Sequence, residues 1–97
     1  MNYQVIDGAL RKWAIENDVP LLTEYRDEQV RAFELVGNKS HLSYQVWIDP
    51  PDRLDRTTVF AWDRKDWKIS QSTSVFEIGK TLDLIFIEIQ KYEANQA

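Results

Sequence analysis

Cysteine is missing from this chain, and with it go disulfides, thiolate metal sites, iron–sulfur clusters and thiol nucleophiles. That absence fits a reducing compartment, and the cytoplasm is the expected location. Histidine is almost missing as well: His41 stands alone, so a His-based metal site or a Ser-His-Asp relay would have to be built around it. Its neighbour Ser40 falls at a predicted hairpin, where successive residues point to opposite faces, and nothing arranges the ~3 Å approach a general base needs. Glycine is sparse, and Gly8, Gly37 and Gly79 lie too far apart to make a glycine-rich phosphate loop. No apolar run approaches the ~20 residues needed to cross a bilayer. The first residues lack the basic-then-apolar pattern of a secretory signal. The expectation is a chain that neither enters a membrane nor leaves the cell by that route.

What the chain does contain is enough for one core. A length of 97 residues with 43% hydrophobic and 12% aromatic content is too rich for disorder and too short for two cores, so residues 1–97 are expected to form a single domain. The formal net charge of −4 opposes nonspecific attraction to polyphosphate, because nucleic-acid affinity rests largely on Lys and Arg. The middle of the chain is mildly basic, but its Asp and Arg residues are interleaved, as on a solvated mixed surface.

The most strongly periodic stretch runs from Ser74 to Tyr92. Val75, Ile78, Leu82, Ile85, Ile89 and Tyr92 recur at steps of three and four, and Phe86 widens the resulting helical stripe. Ser74 with Glu77 three residues later is a capping-box pattern. Phe76, Leu84 and Ile87 fall on the other side, roughly 120° to 200° from Leu82 at about 100° per residue. Either this is a central helix whose flank lies under the N-terminal helix, or the second apolar side meets a partner. Lys80 and Lys91 share that side, where their stems can lie over the patch edge.

The same spacing predicts a first helix over residues 2–17, capped by Asn2 and carrying Tyr3, Ile6, Leu10 and Trp13 inward. Gly8 weakens it by about 1 kcal/mol relative to Ala, which suggests a packing reason for a small residue there, close approach to the second helix being one. Asn17, Asp18 and Pro20 end it. Residues 21–28 read as a loop. Gln29 to Val36 alternates as a strand with an ambiguous inward face, and Gly37 to Ser40 supplies a turn. His41 to Asp49 is a strand with Leu42, Tyr44, Val46 and Ile48 inward and Trp47 on the polar face. Pro50 and Pro51 stop it. Thr57 to Trp62 and Trp67 to Gln71 add two more strands about a turn at Asp63 to Asp66.

The expected fold is therefore α+β. Two helices, N- and C-terminal, pack on one face of a three- or four-stranded antiparallel meander in the order α-β-β-β(-β)-α. That order resembles double-stranded-RNA-binding domains in topology alone. Those domains open their last helix with a lysine cluster, whereas here the positions hold Ser72, Thr73, Ser74, Val75, Phe76 and Glu77, so RNA binding is not carried over.

Candidate chemistry is thin. Asp49, Asp52 and Asp55 around the double proline lack the spacing of a calcium loop, and Arg53 and Arg56 beside them suggest ordinary surface pairing. No catalytic constellation, metal site or cofactor motif emerges, and a non-enzymatic protein is expected. Trp47 is different, because it projects from the face opposite the core with Trp62 or Phe60, which share a side of their own strand. Arg64, Lys65 and Lys68 lie nearby in sequence. Aromatics beside bases on an open sheet anchor protein interfaces, stack nucleotide bases, or stabilise the sheet by cross-strand pairing. The acidic total favours protein over nucleic acid.

The candidate partner-binding residues are Trp47, Trp62, Arg64, Lys65, Phe76, Leu84 and Ile87. The function expected from them is binding of another protein, as in a stoichiometric inhibitor of the immunity-protein or antitoxin kind that neutralises a basic toxin. Two alternatives remain: a homodimeric accessory or secretion-chaperone-like protein, and a single-stranded nucleic-acid binder using the sheet-face tryptophans.

Overall fold

The computed structural model describes residues 3–36, 43–63 and 66–95. Helix α1 (Gln4–Glu16) is followed by strands β1 (Leu21–Tyr25), β2 (Glu28–Val36), β3 (Ser43–Ile48), β4 (Arg56–Trp62) and β5 (Lys68–Ser74). A single 3-10 turn (Val75–Glu77) then leads into helix α2 (Ile78–Ala94). The strands form one antiparallel meander in the order β1-β2-β3-β4-β5. The α+β order expected from the sequence stands, with one strand added at the front of the sheet.

That added strand is the segment expected to be a loop. Leu21 and Leu22 pair with Phe33 and Ala32, the register breaks between Leu22 and Glu24, and Tyr25 then pairs with Glu28. The turn consists of Arg26 and Asp27, whose φ angles of 52° and 67° are both left-handed. Two-residue hairpins of type I′ have positive φ at both central positions, and Asn-Gly is the usual signal for it. Arg-Asp gives no such signal, so a loop was the natural reading.

The helix-side face of the sheet is built from alternating residues. Phe33, Tyr44, Val46, Ile48, Val59 and Ala61 are buried against Ile6, Leu10 and Trp13 of α1 and Ile78, Leu82, Ile85 and Ile89 of α2. Burying each large aliphatic side chain is worth about 2 kcal/mol, so the stripe of α2 is the largest contributor from any one element. Trp13 joins the layers: its ring lies 4.9 Å from Phe33 and 5.9 Å from Phe86, and its Nε1 donates to Asp83 Oδ1 at 2.9 Å.

The inward face of β2 is the one holding Arg31, Phe33 and Leu35. Arg31 is buried because Asp7, in the first turn of α1, lies above it. Arg31 Nε and Nη2 donate to the two carboxylate oxygens at 2.6 and 3.1 Å, and Nη1 donates to the carbonyl of Val30 at 2.7 Å. The guanidinium also lies 4.5 Å from the centre of the Tyr3 ring. A charge-assisted bidentate pair of this geometry satisfies an ion that would otherwise be costly to desolvate.

One expectation about the helices is corrected and one of two alternatives is removed. Gly8 is exposed, and a methyl group there would meet nothing within 4 Å, so it does not serve close packing of α1 on α2. Phe76, Leu84 and Ile87 are not covered by α1 either; they are 85%, 54% and 44% exposed. The Ser74 hydroxyl accepts the Phe76 amide at 3.0 Å, as a cap does, but the chain makes a 3-10 turn before the α-helix begins at Ile78. The expected cap Asn2, the turn at 37–40, His41 and Leu42, and the pair Arg64 and Lys65 lie outside the described residues.

Candidate functional site

Because both helices sit on one face of the sheet, the alternate residues of every strand line the other. Strand register sets Leu22, Ala32, Trp47, Phe60 and Ser70 in one row across all five strands. Glu34, Gln45, Trp62 and Lys68 form the next. Neither helix covers these rows. Trp47, Phe60 and Trp62 are half-buried by one another and by the strands beneath, while Leu22 and Tyr25 are exposed.

The aromatics are arranged around Trp47. Its ring stacks on Trp62 with centroids 6.0 Å apart and planes inclined by 30°, and Tyr25 meets its edge at 5.9 Å and 82°. The indole is also held by hydrogen bonds. Trp47 Nε1 donates to Gln45 Oε1 at 3.1 Å, and Gln45 Nε2 donates to Glu34 Oε2 at 2.5 Å. Ring contacts and a polar tether together fix the plane of a large side chain that faces water, which lowers the entropy lost when a partner covers it.

The surface beside the stack is concave on both sides. One hollow of about 400 Å³ lies among Leu22, Tyr25, Glu34 and Trp47, and another of about 300 Å³ lies among Phe60, Trp62 and Lys68. The first carries a carboxylate and the second an ammonium, so the face has opposite charges at its two ends with aromatic area between them.

No family model, curated protein or solved structure matches this chain.

Of the residues expected to bind a partner, Trp47 and Trp62 are thus brought together on the uncovered face. Phe76 stands exposed in the 3-10 turn and Leu84 and Ile87 along α2, on the helical side of the sheet and apart from the tryptophans. The expected site is two surfaces. Tyr25, Leu22, Glu34 and Gln45 were missed. Tyr25 and Leu22 belong to the strand read as a loop, and the link from Glu34 to Gln45 depends on pairing of β2 with β3, which alternation alone does not specify.

Among the described residues, burial raises the pKa of the Asp49 carboxyl. No three His, Cys, Asp or Glu side chains gather among those residues so as to hold a metal ion. Asp52, one of the three acids around the double proline, accepts the amides of Leu54 and Arg56 at 2.8 and 3.0 Å. Those two amides hold its carboxyl below the usual range. It therefore organises its own loop. Asp7 is likewise lowered, first by its hydrogen bonds to Arg31, and that pair ties α1 to β2. A shallow depression of about 550 Å³ at the end of α1, lined by Arg11, Ile15, Asp18 and Leu21 among others, contains no pair of carboxylates.

Proposed function

We propose that this chain is a non-enzymatic cytoplasmic protein that binds another protein through the uncovered face of its sheet, in the manner of a stoichiometric inhibitor such as an immunity protein or antitoxin. The observation that carries this reading is the Trp47–Trp62 stack with Tyr25 at its edge, held in place by Gln45 and Glu34 on a face neither helix covers. Interface hot spots are dominated by Trp, Tyr and Arg in positions where a partner completes their desolvation. Rigid aromatics with hollows on both sides suit that use. The net charge of −4 favours a basic partner over an acidic one, as expected for the inhibitor of a basic toxin.

Lys68 beside Trp62 supports a second reading, in which the tryptophans stack the bases of a single strand. The two are separated by one pair of measurements. Under the protein-binding reading, affinity capture with the wild-type chain retains a protein at one-to-one stoichiometry that Trp47→Ala fails to retain, and oligonucleotides leave tryptophan fluorescence unchanged at low salt. Salt-sensitive quenching by an oligonucleotide, with no protein lost on Trp47→Ala, would replace it with the nucleic-acid reading.

A further inference from the structure

We propose that a second copy of this chain docks on the other exposed surface, pairing β5 with β5 and α2 with α2 about a two-fold axis that passes near Gln71 and Leu84. The two edges of the sheet differ in a way that points to this. Strand β1 has five residues, a break in register between Leu22 and Glu24, Pro20 before it and a charged turn after it. Those are devices that stop an edge from accepting another strand. Strand β5 ends the sheet on the other side, with no further strand beyond it among the described residues. It has seven residues in unbroken register with β4, from Lys68 opposite Trp62 to Ser74 opposite Arg56. It contains no proline, and Lys68 is its one charge.

The helix beside that edge is turned the right way. Thr81 Oγ1 donates to Thr73 Oγ1 at 2.7 Å, which sets this side of α2 over β5. Leu84, just under one turn further on, lines a groove of about 330 Å³ together with Gln71, Thr73, Glu77 and Lys80. Strand edge and exposed helix stripe thus border one hollow. Ile87 extends the apolar part of the stripe, and Glu88 is held to Lys91 at 3.6 Å.

What commits the surface to a second copy is its order of charges. Along the stripe the exposed residues read Glu77, Lys80, Leu84, Glu88 and Lys91. Two such helices laid antiparallel with Leu84 opposite Leu84 set each Lys80 against Glu88 of the partner helix and each Glu77 against Lys91. Laid parallel, they would set every charge against its own sign. Antiparallel pairing centred on Gln71 puts Lys68 opposite Ser74 and Ile69 opposite Thr73, so no two charged residues of the paired β5 strands lie opposite one another; Arg56 of β4, which reaches Ser72, is the nearest further cation. One patch complementary to itself is what a two-fold interface requires.

The test is sedimentation equilibrium on the full chain. The wild type is expected at twice its 11.5 kDa mass, and Leu84→Asp as a folded monomer by circular dichroism. Lys80→Glu is expected to weaken the dimer about tenfold, since two attractive pairs become repulsive. Lys80→Glu combined with Glu88→Lys is expected to restore it to within about threefold. The variant Trp47→Ala is expected to leave the dimer unchanged, which separates this interface from the sheet-face reading. A monomeric wild type at ~1 mM, a dimer that survives Leu84→Asp, or a double swap that does not rescue would each overturn the proposal.

Discussion

Asp7 and Arg31 carry the sharpest consequence at the scale of single residues. The carboxylate takes two hydrogen bonds from a guanidinium buried between α1 and β2, and those bonds hold its pKa below the usual carboxylate value. A carboxylate depressed in the folded state contributes stability that is fully present above its unfolded pKa of about 3.9 and is lost as pH falls through the lower folded value. Asp7→Asn leaves the arginine buried without its counter-ion and is expected to cost about 2–3 kcal/mol at pH 7, somewhat under the range for a fully buried pair because both side chains retain some exposure. Urea denaturation across pH checks it: the wild-type and variant stabilities converge as pH falls below the unfolded value and through the lowered folded value of Asp7. The pairing was not legible in the sequence. Alternation put Arg31 on the same side as Phe33 and Leu35, but which side faced the helices depended on a partner 24 residues away. Gly8 shows the opposite error, a helix-weakening residue credited with a packing role in a place where the space around it is open.

Among the elements, α2 was readable and β1 was not, for different physical reasons. A helix of 17 residues repeats its pattern often enough that Ile78, Leu82, Ile85 and Ile89 identify the buried side by spacing alone, and all four are buried. Strand β1 has five residues, breaks its register once and turns through Arg26 and Asp27, so alternation and turn chemistry both fall below what a short window can reveal. Left-handed geometry at a residue with a side chain costs roughly 1–2 kcal/mol, less for Asp than for Arg. Replacing the turn by Asn-Gly through Arg26→Asn with Asp27→Gly is expected to stabilise the protein by about 1 kcal/mol, after allowing for loss of the Arg26 contact with the Tyr25 ring at 5.1 Å. The readout is a higher urea midpoint at unchanged slope. A lower midpoint would mean that the existing turn is held by more than its backbone angles.

For the molecule as a whole, the consequence of putting both helices on one side of a five-stranded meander is that two surfaces stay available. The uncovered sheet face presents Trp47, Trp62, Phe60 and Tyr25, and the β5 edge with α2 presents Leu84 and Ile87 beside a self-complementary charge order. The sequence placed Trp47 on the polar face of its strand and Leu84 off the core stripe, so both surfaces were visible as residues out of place. That the second surface borders a strand edge was not, because it depends on which strand ends the sheet. A dimer formed along β5 leaves the uncovered sheet face of each copy free, so self-association and binding of another protein around Trp47 and Tyr25 are compatible, with Lys68 bordering both surfaces. The sheet-face claim is tested most directly by hydroxyl-radical footprinting of the chain alone and in complex with the protein it captures, read residue by residue by mass spectrometry. Oxidation of Trp47, Trp62 and Phe60 is expected to fall several-fold in the complex while Leu84 changes little. Unaltered oxidation of both tryptophans in a stoichiometric complex would contradict it.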